Sequence, residues 1–306
     1  MKPNLPTYML ITPARNEEAF IELTIQSMIR QTVRPLKWVI VSDGSTDRTD
    51  EIVKKYIIEH GWIELVRMPE REERDFGGKV SCFNVGHDRV RTLGYDVIGN
   101  LDADMSFEGD VFEVLMTRFA ENSRLGVAGV PFTEGKGTYD FKFSSIEHVS
   151  GACQLFRRKC FEEIGGYTPM KGGGIDVLAV LTARMKGWQT RTFPERQCFH
   201  HRTMGSAKDT AATISFRLGQ KDYNLGRHPL WQFFRALYQM RRPPFFVGGF
   251  MLLAGYFCCV LKRIERSVPA DVVAFQRREQ MSRLRDFFIR KLPFQSRSSK
   301  AYARVL

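Results

Sequence analysis

The feature that most constrains this chain is Leu36–Ser42 (LKWVIVS), a nearly continuous apolar run that passes straight into Asp43-Gly44-Ser45-Thr46-Asp47. A strand apolar on both sides must be buried on both faces, as in a parallel sheet covered by helices. The turn cluster behind it suits a helix start, and Asp50 and Glu51 fall in that helix's first turn, where the helix dipole favours acids. The same alternation recurs through the first half. Tyr8–Thr12 ends at Pro13, and Ile21, Ile25, Met28 and Ile29 then recur at helical spacing within Glu17–Arg30. Ile63–Arg67 precedes a helical pattern over Gly77–Leu93. Tyr95–Leu101 stops at Asp102-Ala103-Asp104, followed by a helical pattern over Phe107–Ala120 and a strand at Leu125–Val130. Repeated βα units predict an α/β fold, an open and mostly parallel sheet with helices on both faces.

Such sheets take their ligands beyond the carboxyl ends of the strands. Asp43, Asp102 and Asp104 all fall there, and Pro13-Ala14-Arg15-Asn16-Glu17 follows the first strand. Two carboxylates one residue apart can reach one divalent cation and the phosphate or sugar it bridges, and hard oxygen ligands suit Mg²⁺ or Mn²⁺. The same pair could serve as a solvated turn. Asp43 could accept hydrogen bonds from a nucleoside, or do no more than shape a βα turn.

Beyond the sheet pattern, Phe132–Tyr139 reads as a glycine-containing loop and Phe156–Ile164 as a short helix before Gly165-Gly166-Tyr167. The glycine-rich loop Lys171–Gly174 leads to a helix at Asp176–Lys186, with Gly187 suited to its C-terminal cap. Character changes after about Tyr223. This predicts two domains, residues 1–225 and a helical, basic, membrane-associating region at residues 226–306. Leu230–Met240 is aromatic-rich and helical. Pro244–Leu261 (PFFVGGFMLLAGYFCCVL) carries no charge and is flanked by Arg241-Arg242 and Lys262-Arg263. Its length sits at the lower edge of a membrane span. Positive residues on both flanks favour a re-entrant or interfacial insertion over a span, and a buried core helix is the alternative.

The net charge is +12, and +8 of it lies between Lys262 and Leu306. A basic tail suits nucleic acid or an anionic membrane surface. Zinc-finger spacing and the interleaved basic and aromatic signature of an RNA-recognition module are both missing, so nucleic acid is not an expected partner. Six cysteines without a CxxC read as reduced thiols in a cytosolic compartment. Met1–Leu10 has no apolar core of signal-peptide length, so export is not expected.

Thr12–Glu17 (TPARNE), Val41–Asp47 (VSDGSTD) and Leu101–Asp104 (LDAD), in this order and spacing, resemble the family 2 glycosyltransferases, inverting enzymes of GT-A fold. The resemblance continues through Gly78-Lys79, Asn84, Gly86 and Gly165-Gly166-Tyr167, and covers roughly Tyr8 to Gly205. It implies that Asp43 holds the base of a nucleotide-sugar and that Pro13, Arg15 and Glu17 line the nucleotide pocket, with Lys79 close by. It implies that Asp102 faces the ribose or the metal shell and that Asp104 ligates a divalent cation on the diphosphate. The family's general base is commonly the Asp of a Glu-Asp pair opening a helix. Here Ile175 replaces the Glu and Asp176 remains, which puts the orientation of Asp176 in question. Cys198-Phe199-His200-His201-Arg202 resembles the family's terminal His segment, with His200 the first choice of metal ligand, His201 the second and Arg202 a partner for diphosphate. The Gln-x-x-Arg-Trp motif of the processive branch is missing, which implies one sugar per reaction.

The expectation is a metal-dependent inverting glycosyltransferase on the cytoplasmic face of a membrane. Its donor is a nucleotide-sugar and its acceptor a lipid-linked or glycan precursor of a surface polysaccharide. A polyprenyl-phosphate glycosyltransferase is the alternative within enzymes, and a non-catalytic nucleotide-sugar-binding scaffold the alternative outside them.

Overall fold

A computed structural model describes residues 5–70, 76–135, 145–170, 172–202 and 210–291. Part of the Phe132–Tyr139 loop, Lys171 of the Lys171–Gly174 loop and the end of the basic tail lie outside the described residues. The chain divides into two compact units, Met1–Met204 and Gly205–Leu306.

The first unit is built on β1 (Tyr8–Ala14), β2 (Lys37–Asp43), β3 (Ile63–Met68) and β4 (Val97–Leu101), with α1 (Ile21–Ile29), α2 (Thr49–Ile57) and α3 (Phe76–Val90) between them. β5 (Met105–Phe107), α4 (Val111–Glu121), β6 (Leu125–Gly129), β7 (Phe132–Glu134), β8 (Cys153–Arg157), α5 (Arg158–Ile164), α6 (Ile175–Met185), β9 (Gln189–Thr192) and β10 (Cys198–His200) follow. Seven strands form one sheet in the order β3-β2-β1-β4-β8-β6-β9. All neighbours run parallel except β8, which is antiparallel to both β4 and β6. The strands carry the expected burial. Six of the seven residues of β2 are buried, and all five of β4. Trp38, Ile40, Leu10, Val97 and Leu155 join Ile21, Ile25, Phe112, Leu115 and Phe119 in one core. Burying side chains of this size stabilises by about 1.5–3 kcal/mol each before the entropy of ordering is subtracted.

A second sheet, β5-β10-β7, stands apart from the first. Two strands, one in each sheet, depart from the sequence pattern. Phe107 does not open α4; it ends β5, and Glu108, Gly109 and Asp110 separate it from the helix at Val111. Phe156 lies in β8, and the helix after it starts only at Arg158. Short strands of three to five residues show too few alternations to be told from a helix turn.

The second unit is helical: α7 (Ala211–Asn224), α8 (Pro229–Gln239), α9 (Val247–Leu261) and α10 (Ala270–Lys291). It starts ahead of the expected boundary at 225/226 because α7 packs closely on α9. Two glycines permit the contact. A Cβ at Gly219 would lie 2.1 Å from the Leu252 carbonyl oxygen, and one at Gly255 would lie 2.0 Å from that of Phe216. Asp222, 2% exposed, lies between Arg227, at 2.8 Å, and Arg235. Burial pushes both guanidinium pKa values down to about 10. Among the described residues no helix is long and apolar enough to cross a membrane.

Candidate active site

The carboxyl ends of β1, β2 and β4 meet at one edge of the main sheet. In register, Ala14 stands beside Ser42 and Ile11 beside Asn100, so the residues that follow each strand emerge together. Arg15 Nη1 lies 3.7 Å from Asp43 Oδ2, with Asp43 only 7% exposed. The turn after β1 is tied to the turn after β2: the Thr46 amide donates to Asn16 Oδ1 at 2.9 Å, and the Glu17 amide to Thr49 Oγ1 at 2.8 Å. Pro13, in register with Val41, completes the end of β1.

Asp102 and Asp104 leave β4 and enter β5. β10 pairs antiparallel with β5, Phe199 opposite Ser106 and His200 opposite Met105, and this pairing carries His200 back to Asp104. His200 Nε2 lies 3.3 Å from Asp104 Oδ2, and His200 Nδ1 lies 3.9 Å from Glu134 Oε2. Asp102, Asp104 and His200 each offer a ligand atom, all within 4.8 Å of one another. His201 turns elsewhere: its ring meets Ser106 Oγ at 2.8 Å and stacks on Phe20. Arg202 bridges two of the expected residues, donating to Glu17 Oε2 at 2.6 Å and lying 3.9 Å from Asp104 Oδ2.

The electrostatics follow from this crowding. Burial would raise the Asp104 pKa, but the His200 hydrogen bond and the charges of His200 and Arg202 outweigh it and hold the carboxyl below its ordinary range. His200 moves up, driven first by its hydrogen bond to Asp104 against the opposing effect of burial. Burial would lower Lys79, but Asp102, Asp176 and Asp104 together raise it. Lys79 Nζ donates to Asp102 Oδ1 at 2.5 Å.

Asp176 occupies the first turn of α6, after Gly174 at φ +100°. Its Oδ2 accepts the Gly151 amide at 3.2 Å. A Cβ on Gly151 would lie 2.8 Å from Asp176 Cβ, so only glycine lets the carboxylate lie against this backbone. The Gly151 carbonyl in turn accepts from Asn100 Nδ2 at 2.6 Å, and the same amide nitrogen reaches Asp102 Oδ1 at 3.2 Å. Gln154 Nε2 reaches the Asp176 carbonyl at 3.5 Å, and Tyr167 donates to Gln154 Oε1 at 2.6 Å. Tyr167, the last residue of the Gly-Gly-Tyr segment, thus holds the floor under α6. Asn100, Gly151, Gln154 and Glu134 are absent from the sequence-based expectation.

A divalent cation fits these residues. Two carboxylates and an imidazole are a suitable donor set for Mg²⁺ or Mn²⁺. His200 Nδ1 is buried without a hydrogen-bond partner, and the carboxylate of Asp104 is held ionised.

A mostly parallel sheet whose strand ends gather an Asp-x-Asp pair, a histidine and a helix-opening aspartate defines the class: a GT-A glycosyltransferase. The chain matches the profile of Glycosyl transferase family 2 over residues 9–168 and belongs to that family; it is a glycosyltransferase enzyme. It is 30% identical over 128 residues to the uncharacterized glycosyltransferase EpsJ of Bacillus subtilis (strain 168), covering 42% of this chain and 34% of that protein. It is 29% identical over 204 residues to a poly-beta-1,6-N-acetyl-D-glucosamine synthase of Staphylococcus aureus (strain COL), covering 60% of this chain and 47% of that one. The chain therefore spans half or less of the length of these curated relatives. Among solved structures, the mannosyltransferase PcManGT from Pyrobaculum calidifontis, in complex with GDP-Man and Mn²⁺, superposes with a TM-score of 0.56 at 19% identity, covering 93% of this chain and 76% of that one. TarS 1-349 of S. aureus, in complex with UDP-GlcNAc, gives 0.54 at 14% identity, covering 82% and 71%. At these identities the likeness is one of fold.

Proposed function

We propose that this enzyme is a metal-dependent inverting glycosyltransferase. It moves one sugar from a nucleotide-diphosphate sugar to a lipid-linked or membrane-embedded glycan acceptor at the cytoplasmic face of a membrane, in surface polysaccharide synthesis. One observation carries the reading: Asp176 and the Asp102–Asp104–His200 cluster are tied to one backbone segment through Gly151 and Asn100. The nucleotide-sugar complexes and the Mn²⁺ of the fold relatives, and the polysaccharide synthase among the sequence relatives, support it.

Asp43 and Arg15 hold the nucleoside end of the donor, with Pro13 and Glu17 lining the pocket. Asp104 and His200, with Asp102 beside them, would hold Mg²⁺ or Mn²⁺, which as a Lewis acid stabilises the charge gathering on a leaving diphosphate. Arg202, held by Glu17, presents a planar fork to the same anion. Asp176 takes the proton of the acceptor hydroxyl as its oxygen bonds to the anomeric carbon from the face opposite the diphosphate. The bond from that carbon to the diphosphate oxygen breaks, and its electron pair leaves with the diphosphate. The Gly151 amide replaces the missing acid at position 175 as the group that orients the Asp176 carboxylate.

The test is a screen of the full chain with Mn²⁺ against a panel of nucleotide-sugars, reading released nucleotide. Turnover should stop with EDTA, return with Mn²⁺ or Mg²⁺, and vanish in a folded Asp104→Ala variant. Turnover in EDTA, or full activity of that variant, sinks the metal assignment. Asp176→Asn should lose the transfer; retained transfer would point to an acceptor that is already an anion, such as a polyprenyl phosphate.

A further inference from the structure

α9 is apolar on every side, yet only part of it is buried. Gly248, Gly249, Leu252, Gly255, Tyr256 and Cys259 face inward. Val247, Phe250, Phe257, Val260 and Leu261 are exposed, Phe250 at 66% and Leu261 at 83%. At about 100° per residue, the two sets fall on opposite sides of the helix. Phe245 and Phe246, 60% and 73% exposed, extend the patch into the chain entering α9. On α8, Leu230, Phe233 and Leu237 form a second exposed stripe at i, i+3 and i+7. A helix apolar all round belongs in a core or in lipid, and contiguous exposed apolar surface of this kind marks an interaction site.

The occupant follows from length and charge. Fifteen residues give a helix about 22 Å long, short of the roughly 30 Å hydrocarbon layer. The pairs Arg241-Arg242 and Lys262-Arg263, all exposed, flank it at both ends. In a spanning helix they would face opposite sides of the bilayer. In a helix lying flat, both pairs reach the headgroups of the same leaflet. A second copy is a poor occupant, because basic pairs at both ends set like charges together in either orientation.

We propose that α9, with Phe245, Phe246 and the exposed stripe of α8, lies in the plane of one anionic leaflet, making the second unit a monotopic lipid-binding module. This deepens the membrane-embedded acceptor proposed above and rests on that reading for the leaflet it serves, so lipid binding and catalysis are measured separately.

The full chain is floated with phosphatidylcholine vesicles with and without phosphatidylglycerol. Binding should require the anionic lipid for full strength and persist in part at high salt. Phe250→Asp with Phe257→Asp should weaken it by about tenfold or more for each phenylalanine lost from lipid. Both side chains are exposed, so the circular dichroism spectrum should not change. Nitroxides on Val247→Cys, Phe250→Cys, Phe257→Cys and Leu261→Cys, each with Cys258→Ser, should report one shared shallow depth. A depth gradient along the helix, or deep labels at its centre with shallow ends, overturns the in-plane placement. Vesicle binding that is absent, or unchanged in the double variant, overturns the lipid assignment. Nucleotide affinity, measured by calorimetry without vesicles, reports on the catalytic reading alone and should match between wild type and variant; a double variant that loses it does not qualify as a surface change and overturns the exposed-face assignment.

Discussion

Asp43 has a carboxylate at the tip of β2, almost wholly withdrawn from water and 3.7 Å from Arg15. On the proposed reading, a nucleoside arriving there would meet an acceptor beside two turns already tied together. Asp43→Ala should weaken nucleotide-sugar binding by about 1.5–3 kcal/mol, the size of a lost hydrogen bond to a charged group. Calorimetry with the folded variant checks it; unchanged affinity removes Asp43 from the pocket. Gly151 makes a different claim. A methyl group there meets Asp176 Cβ at 2.8 Å, so Gly151→Ala should turn the carboxylate away while leaving the nucleotide side intact. The expected signature is a fall in kcat with little change in donor KM. Equal kcat in variant and wild type would show that Asp176 does not depend on this backbone. The acids at the strand ends were legible in the sequence as residues, because Asp43 ends β2 and Asp102 and Asp104 share one motif behind β4. Asn100 and Gly151 were not: their contact joins residues 51 positions apart, and one of its two partners is a backbone carbonyl that carries no residue signature.

Among elements, the seven-residue parallel strands β1 and β2 announce themselves by nearly continuous apolar runs, and their helices by spacing. The reversed strand β8 and the small sheet β5-β10-β7 do not, although the pairing of β5 with β10 brings His200 to Asp104. Sequence pointed to His200 only through likeness to a family, since nothing in a three-residue strand predicts its pairing partner. The second unit also holds a buried polar group whose loss is testable. Asp222 is buried and ion-paired with both Arg227 and Arg235, whose guanidinium pKa values burial pushes down. Asp222→Ala leaves two half-buried cations facing each other and should destabilise the second unit by about 1–3 kcal/mol, less than the loss of a partner from a fully buried pair. Chemical denaturation of wild type and variant checks this. A loss below about 1 kcal/mol would mean that water already screens the pair as at an ordinary surface.

At the scale of the molecule, the division into two compact units decides where the chain can be cut. All the site residues from Pro13 to Arg202 lie in the first unit, and so does the whole core beneath the sheet. The boundary drawn from the change in character near Tyr223 falls inside the second unit, because the close packing of α7 on α9 runs through Gly219 and Gly255, which carry no apolar signal in the sequence. The two cuts therefore have opposite outcomes. A chain ending at Met204 keeps the seven-stranded sheet and its helices, so it should unfold cooperatively and bind nucleotide with the affinity of the full chain. It should also lose all affinity for anionic vesicles, because the apolar face and the basic tail leave together. A chain ending at Asn224 keeps α7 without α9. Tyr223, 6% exposed in the full chain, and the backbone around Gly219 would then face water, and this fragment should aggregate or be trimmed by protease back towards residue 204. Limited proteolysis with mass spectrometry, followed by calorimetry on each fragment, separates the cases. A soluble 1–224 fragment beside an aggregating 1–204 fragment would place α7 with the sheet and overturn this division.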